Sequence, residues 1–173
     1  MGEKKLGGAG LRGQVAGNTA LSTVGKTGKG LTYRGYAIEE LAEKATFEEV
    51  AYMLLYGSLP TQSEYDAYSA KLKSFRSLPE ALKEVLERIP QTAHPMDVMR
   101  TGCSMLGNLE PEGDFSNQND TADRILASMS SIITYWYRYS HDGVKVNTAT
   151  DHETIGGQFL SLLTGKEPSE EHA

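Results

Sequence analysis

Few side chains in this sequence could do acid–base, metal or thiol chemistry, because the 173 residues include four histidines and one cysteine. His94 precedes a proline at a predicted helix start, so we interpret it as a capping or packing residue. His141 follows a Trp- and Tyr-rich helix end, where a protonated imidazole suits the negative end of the helix dipole. Cys103 has no histidine or base close to it in sequence, which favours an inert buried thiol over a nucleophile.

A metal site is one interpretation of the run Asp151-His152-Glu153. These sequence neighbours point in different directions at a helix start, whereas metal ligands must converge on one point. The fourth histidine, His172, lies in a charged tail without a structural signal. We therefore predict no metal site within this chain.

Residues 25–30, GKTGKG, could be taken for a phosphate-binding loop. A P-loop needs the spacing GxxxxGK[ST] between a buried strand and a helix. Here the spacing differs, no apolar strand precedes the run, and an extended segment follows it at residues 31–36. We predict that residues 25–30 form the turn of a small β-hairpin.

Composition excludes several classes of protein. A net charge of −6 argues against a surface that binds nucleic acid or anionic membrane. One cysteine allows no intrachain disulfide, which fits a reducing compartment. No apolar run is long enough to span a bilayer, and the Lys-containing N-terminus lacks the apolar stretch of a secretory signal. We expect a cytoplasmic protein in which residues 1–12 form a flexible arm.

Apolar periodicity predicts seven helices, among them residues 37–44, 120–139 and 154–163, and a fifth helix from near His94-Pro95 to about residue 106. Ser/Thr-x-x-Glu capping boxes predict the starts of the second, third and fourth helices at Thr46, Thr61 and Ser77. Gly57, Pro90 and Gly165 are placed to end helices. The sequence thus predicts a mainly α, multi-helical fold with a small N-terminal β-hairpin.

The predicted helix faces assign residues to core or solvent. Phe47 belongs to the apolar face of the second helix, and Arg76 is placed away from the apolar face of the third. Residues 110–119 are predicted to form a polar loop, with Asn119, Asp120 or Thr121 capping the sixth helix. Two stripes stand out, a small-residue one on the fifth helix and an apolar one on the sixth. They consist of Met99, Gly102, Cys103 and Leu106, and of Ile125, Met129, Ile132, Ile133, Trp136 and Tyr137.

Two separated runs identify a family. The run YRGYAIEELA…FEEVAYMLLYGSLP, within residues 31–60, resembles the N-terminal part of the citrate synthase family. The run HPMDVMRTGCSMLG, residues 94–107, is most similar to the 2-methylcitrate synthase branch of that family. The resemblance extends from about residue 13 to the last residue. It implies that residues 13–173 form the N-terminal segment of the family's all-α large domain.

The resemblance also implies an activity and its substrates. Enzymes of this family deprotonate an acyl-CoA, the enol attacks the ketone of oxaloacetate, and hydrolysis of the thioester drives the condensation. The 2-methylcitrate branch uses propionyl-CoA and needs no metal or other cofactor. The catalytic histidines and aspartate belong to GPLHGGAN-like and GFGH-like runs, and neither run occurs in this sequence. The resemblance therefore implies that the 173 residues alone are inactive.

Three residues are assigned to substrates by resemblance alone. Lys71 matches the helix that contributes a basic substrate contact, although a solvated lysine on an exposed face is the alternative. Arg138 and His141 match the region that brings positive charge towards the CoA phosphates of the neighbouring subunit. The run YWYRYSHDG departs from the more arginine-rich version of the family. Arg34, in YRGY, is interpreted as a structural donor to carbonyl groups.

The expected partner is a second copy of the chain, bound through the helices at residues 95–107 and 120–139. On this hypothesis, loss of the partner would expose Ile132, Ile133 or Trp136 and cause aggregation. Three other functions stay open: a citrate synthase that uses acetyl-CoA, a relative that cleaves citryl-CoA, and a non-catalytic helical dimerisation module.

Overall fold

The computed structural model describes residues 15, 17–25 and 30–169. The chain divides into two compact units, with the boundary after Lys44. The predicted arm at residues 1–12 and His172 lie outside the described residues, as do residues 26–29 of the predicted turn.

The first unit contains a small antiparallel sheet and one helix. Its strands are β1 (Ser22–Thr23), β2 (Thr32–Tyr33) and β3 (Tyr36–Ala37), in the order β1-β2-β3. The pairing of β1 with β2 confirms the predicted hairpin, and β3 extends it to a third strand. Arg34 and Gly35 connect β2 to β3 with φ of +50° and +94°, as a two-residue hairpin turn requires. Helix α1 (Ile38–Lys44) follows and buries Leu41.

The second unit is helical in the part of the chain that the structure describes. Its helices are α2 (Phe47–Tyr56), α3 (Gln62–Ser74), α4 (Glu80–Glu87), α5 (Pro95–Leu109), α6 (Gln118–Asp142) and α7 (Ile155–Thr164), with a short 3-10 helix at Phe115–Asn117. Helix α6 is the longest of these, and it packs against α3, α4, α5 and α7. The mainly α prediction is confirmed.

Most predicted helix ends are confirmed by their caps. The capping boxes of Thr46 with Glu49 and Thr61 with Glu64 are both complete, with hydrogen bonds in each direction. His94 caps α5, since its Nδ1 accepts from the backbone N–H of Met96 at 3.2 Å. The left-handed glycines predicted to end α2 and α7 are present, with φ of +106° at residue 57 and +69° at residue 165.

Two predicted helix starts are wrong. Helix α4 begins at Glu80 after Pro79, and no side chain of its N-cap makes the capping hydrogen bond. A residue before proline is disfavoured in the α conformation, so Leu78 cannot open a helix capped by Ser77. Helix α6 begins at Gln118, because the 3-10 helix before it leads directly into its first turn. The predicted caps at residues 119–121 therefore lie inside the helix.

The main core lies between α4, α5 and α6. Its larger members are Leu82, Leu86, Val98, Leu106, Ile132, Tyr135 and Trp136. A second cluster joins α3 to α6 through Tyr68, Leu72 and Ala127. Helices α5 and α6 lie close together at Gly102, because a Cβ added there would lie 2.5 Å from Cγ2 of the Ile132 side chain.

The contact between α6 and α7 includes a buried polar network. Gln158 of α7 is fully buried, accepts from Ser130 Oγ at 3.1 Å and donates to Ser131 Oγ at 3.0 Å. Its amide also lies 3.5 Å from the carbonyl oxygen of Thr148. This buried network, which we call the Gln158 network, satisfies polar groups that would otherwise be costly to bury.

The face assignments of Phe47 and Arg76, and the partner-facing expectation for Ile132 and Trp136, are corrected. Phe47 was placed in the core but is 58% exposed, while Glu48 beside it is buried. Arg76 was placed outside but is 1% exposed, because Nη1 donates to the carbonyl oxygens of Thr150 and His152. Ile132 and Trp136, expected to face a partner, are buried within this chain, so loss of a partner would not expose them.

Candidate functional site

The described residues contain one cluster in which a partly exposed cation meets a buried carboxylate. It is formed by Tyr56 of α2, Tyr68 and Lys71 of α3, and Asp120 and Asp123 of α6, and we call it the Lys71 cluster. The spacing of Tyr68 and Lys71 on α3, and of Asp120 and Asp123 on α6, puts each pair on one helix face.

Lys71 has its ammonium group at the centre of this cluster. Nζ lies 2.6 Å from Asp120 Oδ1 and 2.6 Å from Asp123 Oδ2, and it donates to Tyr56 Oη at 3.3 Å. Burial lowers the pKa of Lys71, but the hydrogen bonds to Asp120 and Asp123 outweigh it and raise the pKa overall. The ammonium therefore stays charged at every physiological pH.

Asp123 is the buried member, with no exposed side-chain surface. The hydroxyl of Tyr56 donates to Oδ2 at 2.5 Å, and that of Tyr68 donates to Oδ1 at 3.0 Å. Burial and the neighbouring Asp123 raise the pKa of both phenols, which keeps them protonated as donors. The sequence pattern indicates this residue only weakly, since an aspartate near a helix start is also expected for the helix dipole.

The two residues predicted to lie near CoA have different surroundings. Arg138 is mostly buried, and its Nη1 donates to the carbonyl oxygens of Leu162 and Leu163 at the end of α7. Its Nε lies 2.6 Å from Asp142 Oδ2. His141 is exposed and stacks on Tyr137 with 4.2 Å between ring centroids. The structure thus places the guanidinium against protein and the imidazole at the surface.

The remaining candidates from the sequence have structural contacts. The backbone of His152 accepts from Arg76, and its Nδ1 lies 3.6 Å from Glu167. Asp151 and Glu153 both pair with Lys73. Within the described ranges, no group of three or more His, Cys, Asp or Glu side chains is arranged to hold a metal ion. Burial raises the pKa of the Cys103 thiol, which lowers its reactive thiolate fraction.

The described part of the helical unit has a partly polar cavity and an apolar groove. A cavity of about 520 Å³, which we call the α5–α6 cavity, opens between the end of α3, the end of α5 and the first turns of α6; Asp120 and Arg124 line it. An apolar groove of about 540 Å³ is lined by Phe47, Met99, Met129, Ser130, Ile133, Ile155, Gly156 and Phe159. No helix in the described part of the chain is long and apolar enough to cross a membrane.

Comparison with known proteins places this arrangement in a family. Residues 10–173 match the family described as citrate synthase, C-terminal domain. A 2-methylcitrate synthase of Shewanella oneidensis is 68% identical over 98% of this chain and 45% of its own length. The crystal structure of citrate synthase from Thermotoga maritima superposes with a TM-score of 0.79 and 30% identity, covering 92% of this chain and 42% of that one.

A third comparison concerns a structure with ligands. The ternary complex of carboxymethyl coenzyme A and oxaloacetate with citrate synthase from Thermoplasma acidophilum has a TM-score of 0.83 at 21% identity, which shows a shared fold. It covers 93% of this chain and 43% of that one, so the chain spans less than half the length of these relatives. Both the family match and the identity to the Shewanella enzyme lead to one conclusion: the chain belongs to the citrate synthase family.

Proposed function

We propose that this chain is part of a 2-methylcitrate synthase, which condenses propionyl-CoA with oxaloacetate and water to give 2-methylcitrate and CoA. The 68% identity to the Shewanella enzyme carries the proposal. A citrate synthase that uses acetyl-CoA is the second candidate, because citrate synthases of Deinococcus radiodurans and Acidithiobacillus ferridurans are 34% and 31% identical to this chain. The large difference in identity favours the first.

The reaction needs a carboxylate base beside the acidic C–H, neutral donors for the enolate oxygen and a group that polarises the ketone. Protein side chains can supply all three kinds of group, so we propose that the condensation uses no metal or other cofactor. The sequence lacks the two histidine runs of the family, and we expect the 173 residues alone to be inactive. Their role is to provide scaffold, subunit contacts and part of the anion-binding surface.

We assign substrate contacts to two of the residues predicted from resemblance. Lys71 supports an anion contact because its ammonium is partly exposed. His141 stays a candidate for the neighbourhood of CoA because its ring is at the surface. Arg138 fits this role less well, since three acceptors already surround its guanidinium.

We also propose that the enzyme is a cytoplasmic homodimer that binds neither nucleic acid nor membrane. The single cysteine and the net charge of −6 support this assignment. The subunit contact would use α5 and α6, and the apolar groove beside them has almost no polar surface. Its half-buried members Met99, Met129 and Ile133 are the residues that a second copy would cover.

A hybrid enzyme tests the proposed function. In it, this chain replaces the matching segment of the Shewanella enzyme, and release of the CoA thiol is measured with oxaloacetate and either propionyl-CoA or acetyl-CoA. We expect turnover with a preference for propionyl-CoA, and no thiol release from the 173-residue chain alone. Preference for acetyl-CoA would support the citrate synthase alternative. A folded but inactive hybrid would support a non-catalytic dimerisation module.

A further inference from the structure

Two carboxylates contact the Lys71 ammonium, which carries a single positive charge. A lysine ammonium has three N–H donors, and here all three are used, by Asp120, Asp123 and Tyr56. Asp123 alone balances the charge, so Asp120 is a second carboxylate on a cation that is already paired. One of the two can be exchanged for another anion without changing the net charge of the cluster.

The two carboxylates differ in how firmly they are held. Asp123 has 0% of its side chain exposed and accepts from two phenols as well as from Lys71. Removing a partner from a buried ion pair is costly because it leaves a charge without compensation. Asp123 therefore fixes the position of the ammonium, and it cannot leave while the unit is folded.

Asp120 is the mobile partner by the same criteria. Its side chain is 68% exposed, and its carboxylate is paired with Lys71. Exposed ion pairs contribute little to stability, since water solvates the separated charges well. When Asp120 rotates into water, the donor that it held turns towards the solvent.

The space beside Asp120, towards which this donor would turn, is open. Asp120 lines the α5–α6 cavity together with a cation, Arg124, and with the polar residues Ser74, Ser77 and Thr121. Arg124 is paired with Glu110, another exposed carboxylate from the wall of the same cavity. An anion that enters this cavity therefore meets Arg124 in the wall, and it reaches the Lys71 ammonium only by displacing Asp120.

We propose that Asp123 is a positioning residue for Lys71, and that Asp120 is a resident counter-ion that an anionic group of the substrate displaces. This inference rests on the proposed function. A carboxylate of oxaloacetate and a phosphate of CoA share the required chemistry. The Michaelis constants for the two substrates distinguish the sources.

The test measures kcat and KM for both substrates in the hybrid enzyme and its variants. Asp120→Asn removes the competing charge, and we expect KM for one substrate to fall two- to five-fold with kcat unchanged. Asp123→Asn loosens the ammonium, and we expect KM for the same substrate to rise at least ten-fold. Tyr56→Phe is a milder change in the same network and should raise that KM two- to five-fold.

Controls separate positioning from stability. Asp151→Asn, which removes an exposed carboxylate paired with Lys73, should change neither Michaelis constant. In a Lys71→Met background, Asp123→Asn should no longer change KM, because the residue acts through Lys71. An increase in KM that persists in that background would overturn the proposal. So would an Asp120→Asn variant with unchanged constants for both substrates, or a Tyr56→Phe variant that lowers the melting temperature alone.

If the unmodified hybrid does not turn over propionyl-CoA or acetyl-CoA, the proposed function fails. If it does turn over and the variants do not show these changes, the positioning role alone fails.

Discussion

Single residues decide how closely α5 and α6 approach each other. Gly102 is buried, and the space where a side chain would begin is filled by Ile132. Gly107 lies on the same helix but has no atom within 4 Å of the equivalent position. The two glycines therefore offer a matched pair, in which the same substitution meets a packed core at one position and open space at the other.

We predict that Gly102→Ala destabilises the hybrid enzyme by about 1–3 kcal/mol, because the added methyl group overpacks the contact with Ile132. Gly107→Ala should instead be neutral or stabilise the fold by up to about 1 kcal/mol, since alanine favours the helix. Chemical denaturation of both variants gives the two free energies of unfolding. Equal effects at the two positions would contradict the packing argument.

Glu87 is a second residue for which a single substitution should change stability, here in a way that depends on pH. Lys145 Nζ lies 2.6 Å from Oε1, and the Tyr135 hydroxyl donates to the same oxygen at 2.7 Å. These hydrogen bonds, that of Lys145 first, lower the pKa of Glu87 below its ordinary value of 4.5. A lowered pKa in the folded state stabilises the fold above the unfolded value and loses this contribution as the pH falls through the folded value.

We predict that the melting temperature falls as the pH decreases below about 4.5, and that Glu87→Gln makes this fall smaller. At pH 7 the same variant should be less stable than the unmodified protein. The comparison is with Glu84→Gln, which changes an exposed residue of the same helix. Identical acid profiles for Glu87→Gln and the unmodified protein would refute the assignment.

At the scale of helices and turns, the ends of the elements are set by local chemistry. Thr61 and Glu64 exchange hydrogen bonds at the start of α3, with the Thr61 backbone N–H donating to Glu64 at 2.8 Å. The similar sequence at Ser77 makes no such box, since α4 begins only after Pro79. One sequence motif therefore has two different structural outcomes within twenty residues.

Replacing the two hydroxyl residues tests this difference. Thr61→Ala should cost about 0.5–2 kcal/mol, because orphan N–H groups at the start of α3 lose their acceptor. Ser77→Ala should change the free energy of unfolding by less than about 0.5 kcal/mol, as expected for an exposed residue without a cap. A cost at Ser77 as large as that at Thr61 would show that the box forms in solution.

Periodicity and caps predicted the seven helices, but they did not predict the buried polar residues. A capping box is a local signal, so Thr46, Thr61 and Gly165 could be read from neighbours in the sequence. Arg76 and Asp123 are buried because carbonyls or phenols more than 50 residues away in the sequence satisfy them. No helix pattern contains those partners, so nothing in the sequence singles out Asp123, and Lys71 is a candidate by resemblance alone.

At the scale of the whole molecule, the apolar groove beside α5 and α6 is the surface proposed for the contact with a second copy. We predict that Ile133→Glu in the hybrid enzyme converts a dimer into a monomer, because a charge would be buried at the proposed subunit contact. Sedimentation velocity measures the change. Phe115→Glu, at an exposed position away from the groove, is the control and should leave the dimer intact. A hybrid that stays dimeric with Ile133→Glu would rule out this face as the contact.

The Gln158 network determines the register in which α7 docks on α6. A helix docked only by apolar contacts can shift by one turn, about 5.4 Å, and still bury similar surface. After such a shift the Gln158 amide would lose both serine hydroxyls, leaving several buried polar groups without partners. The hydrogen bonds of Gln158 thus select one register of α7 on α6 among several that would bury similar apolar surface.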